Sequence, residues 1–428
     1  MWANWAGDQT CRPAVVERPA GTAEVQAAVR HAAATGRTVR VAGAGHSFSD
    51  AAATDGALLT LERMERVVDA DPASGLVRVQ AGITLHDLNR RLLELGLALP
   101  NLGDIDVQHV GGAIATGTHG TGATKGNLSV QVVAAQVVDG HGEVREIEGG
   151  DLLRAVRVST GSLGVITELT LRCVPAFRLE GIDDREPLEE VLATLDERVD
   201  GNPHFEFWTF PHSRWALTRT NRPTDAPPDG PPSWRLKAGQ IWVDNHLFEA
   251  LLRTGRRVPP AIPALNRLAG RLTGRRRRVA DSFEIFASPR LFRFTETEQA
   301  IPREHAAEAV QIAREVCERH AVGIPIECRF VAADDALISP SHGRATAYIA
   351  AHVYVGMDFE PALREVEQAL GRFGARPHWG KRTWLSHAEL APRYPRWTDF
   401  QAARAELDPD GRFANAYVRR MLGPLSHD

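Results

Sequence analysis

The sequence predicts a two-domain protein of the α+β class. Its 428 residues exceed what one ordinary hydrophobic core needs. Near the start, an amphipathic helical pattern, TAEVQAAVRHAAATG, leads into strand-like runs, RTVRVAG and GLVRVQAG. Beyond about Pro175, aromatic residues become denser, and long strand patterns alternate with amphipathic helices. We therefore place a domain boundary near Pro175.

Local signals justify individual elements of the first domain. The segment ITLHDLNRRLLELGLALP has apolar residues at helical spacing, with Thr84 as its N-cap and Gly96 near its end. The segment VQVVAAQVVDGHGEVREIEG is predicted to form a hairpin with its turn at Asp139-Gly140. The opening domain therefore mixes helices with short strands.

Composition excludes several classes of protein. With 43% hydrophobic residues, 24% charged residues and a net charge of -4, the chain is typical of soluble globular proteins and not of dedicated nucleic-acid binders. No window approaches the roughly 18 apolar residues that span a bilayer, and no secretory leader pattern opens the chain. We expect a cytoplasmic protein without a membrane span.

Three further features receive structural interpretations. The four cysteines lie far apart without a CxxC pair, which argues against a zinc knuckle or a disulfide framework. The basic run RLTGRRRRV, residues 271–279, is predicted to be a solvated loop rather than a patch for a polyanion. The proline-rich stretch PTDAPPDGPP, residues 223–232, is predicted to be a surface loop.

The first candidate site is the loop that follows the strand RTVRVAG. Gly43, Ala44 and Gly45 leave backbone N–H groups uncovered, as the close approach of a phosphate or pyrophosphate requires, and His46 follows at once. A nicotinamide fold of the GxGxxG type is rejected because the loop leads to another strand and not to an apolar helix. The alternative is a tight glycine turn beside a buried, hydrogen-bonded His46.

The second candidate is the run GGAIATGTHGTG, residues 111–122. It contains too much glycine for a stable helix or strand on propensity alone. Such a chain can lie against a large planar or phosphorylated ligand. Two segments of this kind in one domain indicate an extended dinucleotide held at several points, and the alternative is a pair of unrelated flexible loops.

Two strand patterns of the second domain place polar groups on one face. In IPIECRFV, alternation puts Glu327 and Arg329 on one face and the apolar side chains on the other. In the strand pattern that ends near Tyr354, His352 and Tyr354 share a polar face. If the strands are neighbours, these faces form a wall suited to a polyhydroxylated substrate. The alternative is a solvent-facing sheet with an exposed ion pair.

The motif ARPHWGKRTW follows a helix-like segment at the point where the second domain returns to the first. Lys381 would there place its charge beside a cofactor that becomes anionic on reduction. The alternative is an ordinary surface lysine.

Together, these residues resemble the flavoprotein family of the vanillyl-alcohol oxidase type. Within it, the chain is similar to the sugar-1,4-lactone oxidases, in the branch of the L-gulono- and D-arabinono-1,4-lactone oxidases, and to the related alditol oxidases. The resemblance extends over nearly the whole chain. It rests on AGAGHSFSD, LPNLGDIDVQHVGGAIATGTHGTG, the strand residues Glu327, Arg329 and His352, and RPHWGK.

The resemblance implies an FAD-binding fold of the PCMH/VAO type. An FAD domain over residues 1–175 would be followed by a cap domain over 176–381, whose antiparallel sheet covers the isoalloxazine, and residues 382–428 would return to the FAD domain. A ring nitrogen of His46 would be bonded to the 8α-methyl group of the flavin. The other residues implied to line FAD are Ala42, Gly43, Ala44, Gly45, Ser47, Gly112, Thr116, Gly117, Thr118, His119, Ile166 and His378.

The same resemblance implies a catalytic set of four residues. Lys381 would lie near the flavin N1 and C2 carbonyl and stabilise the anionic reduced ring. Arg329 and Glu327 would hold the reacting hydroxyl. Glu327, alone or through His352, would take the hydroxyl proton as hydride moves to the flavin N5.

Three positions bear on the substrate and the electron acceptor. Asp104, at a substrate-contacting place, and Tyr354 stand where the alditol oxidases carry serine and threonine, which favours a cyclic lactone over a linear polyol. Gly103 matches the place that looks over the reactive flavin carbon, where glycine leaves room for dioxygen. It predicts an oxidase that releases hydrogen peroxide, and a dehydrogenase that uses a dye or a cytochrome stays open.

The leading hypothesis is covalent-FAD oxidation of the C2 hydroxyl of an aldono-1,4-lactone, such as L-gulono- or L-galactono-1,4-lactone, toward an ascorbate-type product. The alternatives are oxidation of an alditol such as xylitol or sorbitol, and flavin binding without turnover. A metal hydrolase is disfavoured because the 16 histidines form no HExxH motif or short His/Asp cluster. No metal and no nucleic acid are expected.

Overall fold

The computed structural model of the protein describes residues 1–230, 246–272, 274–288 and 291–425. Within these residues, no helix is both long enough and apolar enough to cross a membrane. Residues 231–232, at the end of the predicted proline-rich loop, lie outside the described part of the chain.

In the described residues, the strands form five sheets, of which the largest have eight and five strands. The strands are β1 (Trp2–Ala3), β2 (Thr10–Cys11), β3 (Val15–Glu17), β4 (Val39–Ala42), β5 (Ala57–Thr60), β6 (Val67–Asp71), β7 (Leu76–Gln80), β8 (Leu97–Ala98), β9 (Val132–Val138), β10 (Val144–Ile147), β11 (Val165–Arg172), β12 (Val174–Pro175), β13 (Arg178–Pro187), β14 (His204–Thr209), β15 (Trp215–Thr224), β16 (Arg276–Asp281), β17 (Phe294–Pro302), β18 (Ile326–Val331), β19 (Thr346–Tyr354) and β20 (Arg376–Pro377).

Helices connect and cover these sheets. The α-helices of the described residues are α1 (Thr22–Ala34), α2 (Leu85–Glu94), α3 (Val110–Ala115), α4 (Gly150–Arg157), α5 (Leu188–Ala193), α6 (Leu195–Asp200), α7 (Phe248–Arg257), α8 (Ile262–Leu272), α9 (Ser282–Phe286), α10 (Ala306–Arg319), α11 (Glu360–Leu370), α12 (His387–Leu390), α13 (Trp397–Leu407) and α14 (Ala416–Leu422). Short 3-10 helices cover Leu128–Gln131, Pro259–Ala261, Arg303–His305, Gly371–Phe373 and Ala391–Arg393.

The predicted helix and hairpin of the first half are confirmed. Thr84 caps α2, because its side-chain oxygen accepts a hydrogen bond from the backbone N–H of Asp87. β9 and β10 pair as an antiparallel hairpin. Its turn is longer than the predicted Asp139-Gly140, since Asp139 donates its backbone N–H to the carbonyl of Glu143.

The first half of the chain and the C-terminal helices share one hydrophobic core. β3, β5 and β4 form a parallel sheet, and β10, β9, β11, β7 and β6 form an antiparallel one. α1 packs on the antiparallel sheet. Side chains of α12, α13 and α14 complete this core, so the end of the chain returns to its beginning. The domain limits at residues 175 and 381 stay a prediction.

Arg40 on β4 links the C-terminal part of the chain, at Phe413, to the first half. Its buried guanidinium donates to the carbonyl oxygens of Ala51 (2.7 Å), Thr160 (2.7 Å), Gly161 (2.8 Å) and Phe413 (2.8 Å). A buried cation is costly unless its donors are satisfied. Burial lowers the pKa of Arg40 to about 10, and the carbonyls, which belong to distant parts of the chain, satisfy its donors. Arg40 is therefore a structural link and not a free cation.

The second half is built on an antiparallel sheet of eight strands in the order β16-β13-β15-β14-β18-β19-β17-β20, which we call the cap sheet. β18 is a central strand, with β14 on one side and β19 on the other. α10 and α11 pack on one face, where the apolar side chains form a second core. The interpretation of β18 and β19 depended on their being neighbours, and this is confirmed.

The run GGAIATGTHGTG contains a helix, so the expectation that it would form neither helix nor strand was wrong. α3 covers Val110–Ala115 and ends in a Schellman motif. The N–H of Gly117 donates to the carbonyl of Ile114 (3.1 Å), and the N–H of Thr118 donates to that of Ala113 (3.0 Å). Gly117 takes the required positive φ of 71°. Burial of the apolar side chains of α3 outweighs the weak propensity.

The basic run does not form the predicted loop. Residues 276–281 form β16, an edge strand that pairs with β13. Arg277 contacts Glu180 at 2.5 Å and Arg278 contacts Glu284 at 2.6 Å, and these arginines are exposed. Charged side chains are a common protection of sheet edges against further pairing. The side chains are thus solvated as expected, although the backbone is a strand.

His204 on β14 contacts the first half of the chain. Its Nδ1 lies 2.8 Å from the carbonyl oxygen of Thr121, and its ring packs edge-on against Phe286. Burial is the largest cause that lowers the pKa of His204 from 6.5 to about 4. The folded protein therefore holds this ring neutral.

We expect acid to destabilise the fold through His204. Between about pH 6.5 and 4, the unfolded chain binds a proton at this ring and the folded chain does not, so the free energy of unfolding decreases as the pH falls through that interval. The substitution His204→Gln should reduce the loss of stability between about pH 7.5 and 5 by about 1–2 kcal/mol. Denaturant unfolding at both pH values measures this difference. An unchanged pH dependence in the variant would contradict the assignment.

Candidate active site

β18 delivers Glu327 and Arg329 to the face of the cap sheet opposite the second core. The intervening Cys328 is fully buried in that core, as strand alternation predicts. In register, Arg329 lies opposite Glu206 of β14 and Tyr348 of β19. The polar side chains of three adjacent strands therefore converge at one place.

Arg329 is surrounded by three carboxylates, and we call these four residues the arginine cluster. Its Nη2 lies 2.6 Å from Oδ1 of Asp104 and 2.5 Å from Oε1 of Glu327, and its Nε lies 2.7 Å from Oε2 of Glu206. Asp104 comes from the first half of the chain, whereas the other three residues lie on the cap sheet. The cluster therefore joins the two halves by charge.

Arg219 of β15 supports the arginine cluster from the next strand. Its Nη1 lies 3.8 Å from Oε1 of Glu206, and its Nε lies 2.7 Å from Oδ1 of Asp183. Burial raises the pKa of Glu206 to about 7, although Arg329 and Arg219 pull it down. The carboxylates outnumber the guanidinium groups here, so we expect Glu206 to exchange a proton near neutral pH.

A second group on the same face, the lysine cluster, consists of His119, Glu296, Glu298, His352 and Lys381. Lys381 contacts Glu296 directly and lies 3.9 Å from Oε2 of Glu298. Nε2 of His352 lies 3.3 Å from Oε2 of Glu296, and Nε2 of His119 lies 3.2 Å from Oε1 of Glu298. Each buried carboxylate thus has cationic or ring-nitrogen partners.

The charges of the lysine cluster stabilise one another. Burial alone would raise the pKa of Glu296, but Lys381 and His352 hold it at about 2. Burial alone would lower the pKa of Lys381, but Glu296 and Glu298 raise it. Both carboxylates and the ammonium group are therefore ionised at neutral pH. Buried ion pairs of this kind need such mutual compensation to be tolerated.

A chain of rings connects His46 to the lysine cluster. His46 stacks on Trp5 with centroids 4.8 Å apart, Trp5 contacts Phe294 at 5.4 Å, and Phe294 contacts His352 at 5.2 Å. Burial, and after it the charge of Lys381, lowers the pKa of His46 to about 4. The charge of Lys381 therefore acts on His46, and the ring of His46 is neutral at neutral pH.

The loop after β4 has the features of an anion cradle. Among the described residues, the backbone N–H groups of Ala44, Gly45 and His46 donate to no protein acceptor. A Cβ on Gly43 would lie 3.2 Å from Cβ of His109, and the buried Nδ1 of His109 has no hydrogen-bond partner in the described structure. A pyrophosphate binds where free backbone N–H donors are not covered by side chains. These residues fit a dinucleotide.

The other predicted FAD residues lie around this loop and α3. Ser47 donates from Oγ to the carbonyl of Gly380, which links the loop to the RPHWGK motif. A Cβ on Gly112 would meet nothing within 4 Å, so the backbone there faces open space. Ala42 ends β4, Thr116 and Thr118 flank Gly117 at the end of α3, and Ile166 is buried in β11.

His378 lies beside the lysine cluster, next to its member His119, and both residues are buried. Nδ1 of His378 accepts from the N–H of Gly380, and Nδ1 of His119 lies 2.9 Å from the carbonyl of Gly120. Ligand atoms of His119, Glu298 and His378 lie within 4.8 Å of one another, a grouping that sequence spacing did not predict. His378 is engaged through Nδ1, and His119 is engaged through both of its ring nitrogens.

Tyr354 and Gly103 have packing roles that the sequence did not indicate. The hydroxyl of Tyr354 donates to Glu249 of α7, and its ring joins a small apolar group with Leu252, so Tyr354 is not brought into either charged cluster. A Cβ on Gly103 would lie 2.8 Å from the carbonyl oxygen of His119. Glycine at position 103 is therefore required by packing, whatever its bearing on dioxygen.

Sequence reasoning missed several residues of the site. Glu296 and Glu298 alternate in FTETEQA, so the period-two rule that found Glu327 and Arg329 would have found them too. Glu206 interrupts the aromatic strand HFEFWT, which is a weaker signal of the same kind. Trp5 has no signal in the sequence, since only the fold brings it to His46.

Comparisons with known proteins find relatives over nearly the whole chain. A family model described as D-arabinono-1,4-lactone oxidase matches residues 169–421, and one described as FAD binding domain matches residues 13–148. The L-gulono-1,4-lactone dehydrogenase of Mycobacterium tuberculosis is 44% identical over 99% of both chains. The alditol oxidase of a Streptomyces species is 35% identical over 98% of both chains. The crystal structure of cholesterol oxidase from B. sterolicum has the same fold, with a TM-score of 0.82 at 16% identity, over 98% of this chain and 96% of that one.

We expect the substitution Arg329→Ala to destabilise the protein in a pH-dependent way. It leaves the buried carboxylate of Glu206 and the partly buried ones of Asp104 and Glu327 without their shared cation, which should cost about 3–5 kcal/mol near pH 8. The cost should be smaller near pH 5, where the carboxyl group of Glu206 is protonated. Thermal unfolding at both pH values tests this.

The double variant Glu206→Gln/Arg329→Ala is the matched control and should recover part of the loss at pH 8. An equal loss at both pH values would be the contrary result.

Proposed function

Because the chain belongs to the D-arabinono-1,4-lactone oxidase family, we propose that it is an FAD-dependent enzyme that oxidises a secondary hydroxyl group of an aldono-1,4-lactone. The observation that carries the proposal is the pair of charged clusters on one face of the cap sheet, joined by a ring chain to a dinucleotide-binding loop. Bound FAD would supply the hydride acceptor. L-Gulono-1,4-lactone is the first substrate to test, given the relative that is 44% identical.

The residues of the first half would hold the cofactor. The free N–H groups of Ala44, Gly45 and His46 would donate to the pyrophosphate, and the bare backbone at Gly112 would allow close approach of the chain. We further propose that His46 is the point of covalent attachment. Its low pKa supports this, because a neutral ring keeps the nitrogen lone pair that a bond to carbon needs.

The residues of the cap sheet would hold the substrate. In this proposal Arg329 donates to the oxygen of the reacting hydroxyl, and Glu327, next to it on the same face of β18, accepts the hydroxyl proton. Lys381 provides positive charge beside the cofactor, as part of a group that also holds Glu296 and Glu298. Asp104 would contact the substrate from the first half of the chain while it pairs with Arg329.

Oxidation of an alditol is the second candidate, supported by the alditol oxidase that is 35% identical over 98% of both chains. Two contacts favour the lactone. The carboxylate of Asp104 is held by Arg329, and the hydroxyl of Tyr354 is engaged by Glu249. Both groups are already engaged, so fewer hydrogen-bonding groups are free for the many hydroxyls of a flexible polyol, and a ring-closed lactone requires fewer.

The electron acceptor is a separate part of the proposal. Gly103 supports dioxygen as the acceptor because it adds no side chain at its place. The relative from Mycobacterium tuberculosis bears the name of a dehydrogenase, which supports another acceptor. An assay that follows peroxide formation and dye reduction together distinguishes the two acceptors.

We expect L-gulono-1,4-lactone to be oxidised with a higher kcat/KM than xylitol. The assay uses the purified flavin-loaded enzyme under air, with peroxide and the reduction of a dye followed in parallel. A higher kcat/KM for xylitol would move the assignment to the alditol oxidases. Peroxide formation equal to substrate consumption is the result expected from Gly103, and dye reduction without peroxide would contradict it.

We expect the flavin to stay with the polypeptide after denaturation. Acid precipitation of the purified enzyme should give a yellow pellet, and the variant His46→Ala should release all of its flavin to the supernatant. Trp5→Phe is the matched control, since it alters the ring that packs on His46 but leaves the attachment residue in place. A colourless pellet from the unmodified enzyme would remove the covalent role from His46.

A further inference from the structure

Both ring nitrogens of His352 face oxygen acceptors. Nδ1 lies 3.1 Å from the carbonyl oxygen of Pro325, and Nε2 lies 3.3 Å from Oε2 of Glu296. A neutral imidazole carries a hydrogen on one nitrogen and a lone pair on the other. The neutral ring would therefore point a lone pair at an oxygen lone pair on one of its two sides. Only the doubly protonated ring satisfies both contacts.

The surroundings of His352 favour this charged form. His352 is 6% exposed, and its ring makes an edge-to-face contact with Phe294. The charged groups that face it are Glu296 from β17, Glu327 from β18 and Lys381 from the segment after β20. Burial alone would lower the pKa of His352, but the two carboxylates raise it above its ordinary value in spite of Lys381.

Glu296 is the residue that joins His352 to Lys381. Its carboxylate contacts both cations and is itself buried. With Glu296 and Glu298 both ionised, Lys381 alone would leave the group negative. A positive charge on His352 brings these four groups, two carboxylates and two cations, to a net charge of zero.

We propose that His352 acts in the reaction as a fixed imidazolium, held by the positioning residue Glu296, and that Glu327 alone is the base. The inference rests on the proposed function. As the substrate C–H bond breaks, its electron pair leaves with the hydrogen as hydride to FAD, the O–H proton passes to the carboxylate of Glu327, and the C=O double bond forms. A ring with hydrogen on both nitrogens has no site for that proton.

The first test is the protonation state of His352 by nitrogen NMR. Protein labelled with ¹⁵N-histidine is compared with the variant His352→Gln to assign the ring. We expect both nitrogens of His352 to carry hydrogen at neutral pH. A ring that is neutral at that pH overturns the proposal. The measurement needs no substrate, so it stands even if the proposed activity fails.

The second test compares Glu296→Gln with the matched variant Glu298→Gln. Both remove one carboxylate from the same face of β17, but only Glu296 contacts His352. In Glu296→Gln the ring should lose its second proton at a lower pH than in the unmodified protein, because an amide no longer favours the charged form. In Glu298→Gln the ring should stay charged. Titration of His352 in both variants or in neither would contradict the role of Glu296.

Flavin reduction distinguishes a fixed cation from a base. If His352 must be positive, the rate of flavin reduction by lactone in Glu296→Gln should decrease about tenfold per pH unit above the midpoint of the ring. If His352 were the base, the rate in that variant would increase with pH, and the proposal would be overturned. Stopped-flow reduction under argon gives this rate. Absence of reduction in the unmodified enzyme would count against the proposed function alone.

Discussion

Mutual compensation of buried charges is the constraint on which the rest of this structure depends. Alternation along a central strand gives the cap sheet one apolar face and one polar face, and the polar face is covered by the first half of the chain. Water cannot reach most of these groups, so each must find a partner of opposite charge or a hydrogen-bond acceptor. Arg329 meets this requirement through ion pairs with three carboxylates.

The same constraint fixes how the two halves meet. Asp104 and His119 belong to the first half, yet each contacts a charged residue of the cap sheet. Displacement of the halves would separate Asp104 from Arg329 and His119 from Glu298. Loss of a partner at a buried charge costs more than a surface ion pair gains. Charges placed in this way are also oriented before any ligand binds. Such preorganised charge is the main means by which enzymes stabilise a developing charge.

Much of this arrangement could be predicted because it follows from local rules. Thr84, the strand alternation around Glu327 and the glycine-rich loop before His46 each depend on neighbouring residues only. The wrong expectation for α3 has the opposite cause. Its propensity is low, but burial of Ala113 and its neighbours in the common core favours the helix, and a single sequence does not reveal which segments will be buried.

The sequence by itself therefore determined the class of fold, the face of β18 that carries the polar groups and the family to which the chain belongs. The tertiary structure alone decided which charges meet. Glu296 lies 85 residues before Lys381 in the chain and contacts it, and Trp5 reaches His46 from the N-terminus. Strand order and the return of the C-terminal helices bring these side chains together. Such contacts join residues that are far apart in the sequence. Local residue patterns cannot predict them, because they depend on how the whole chain packs.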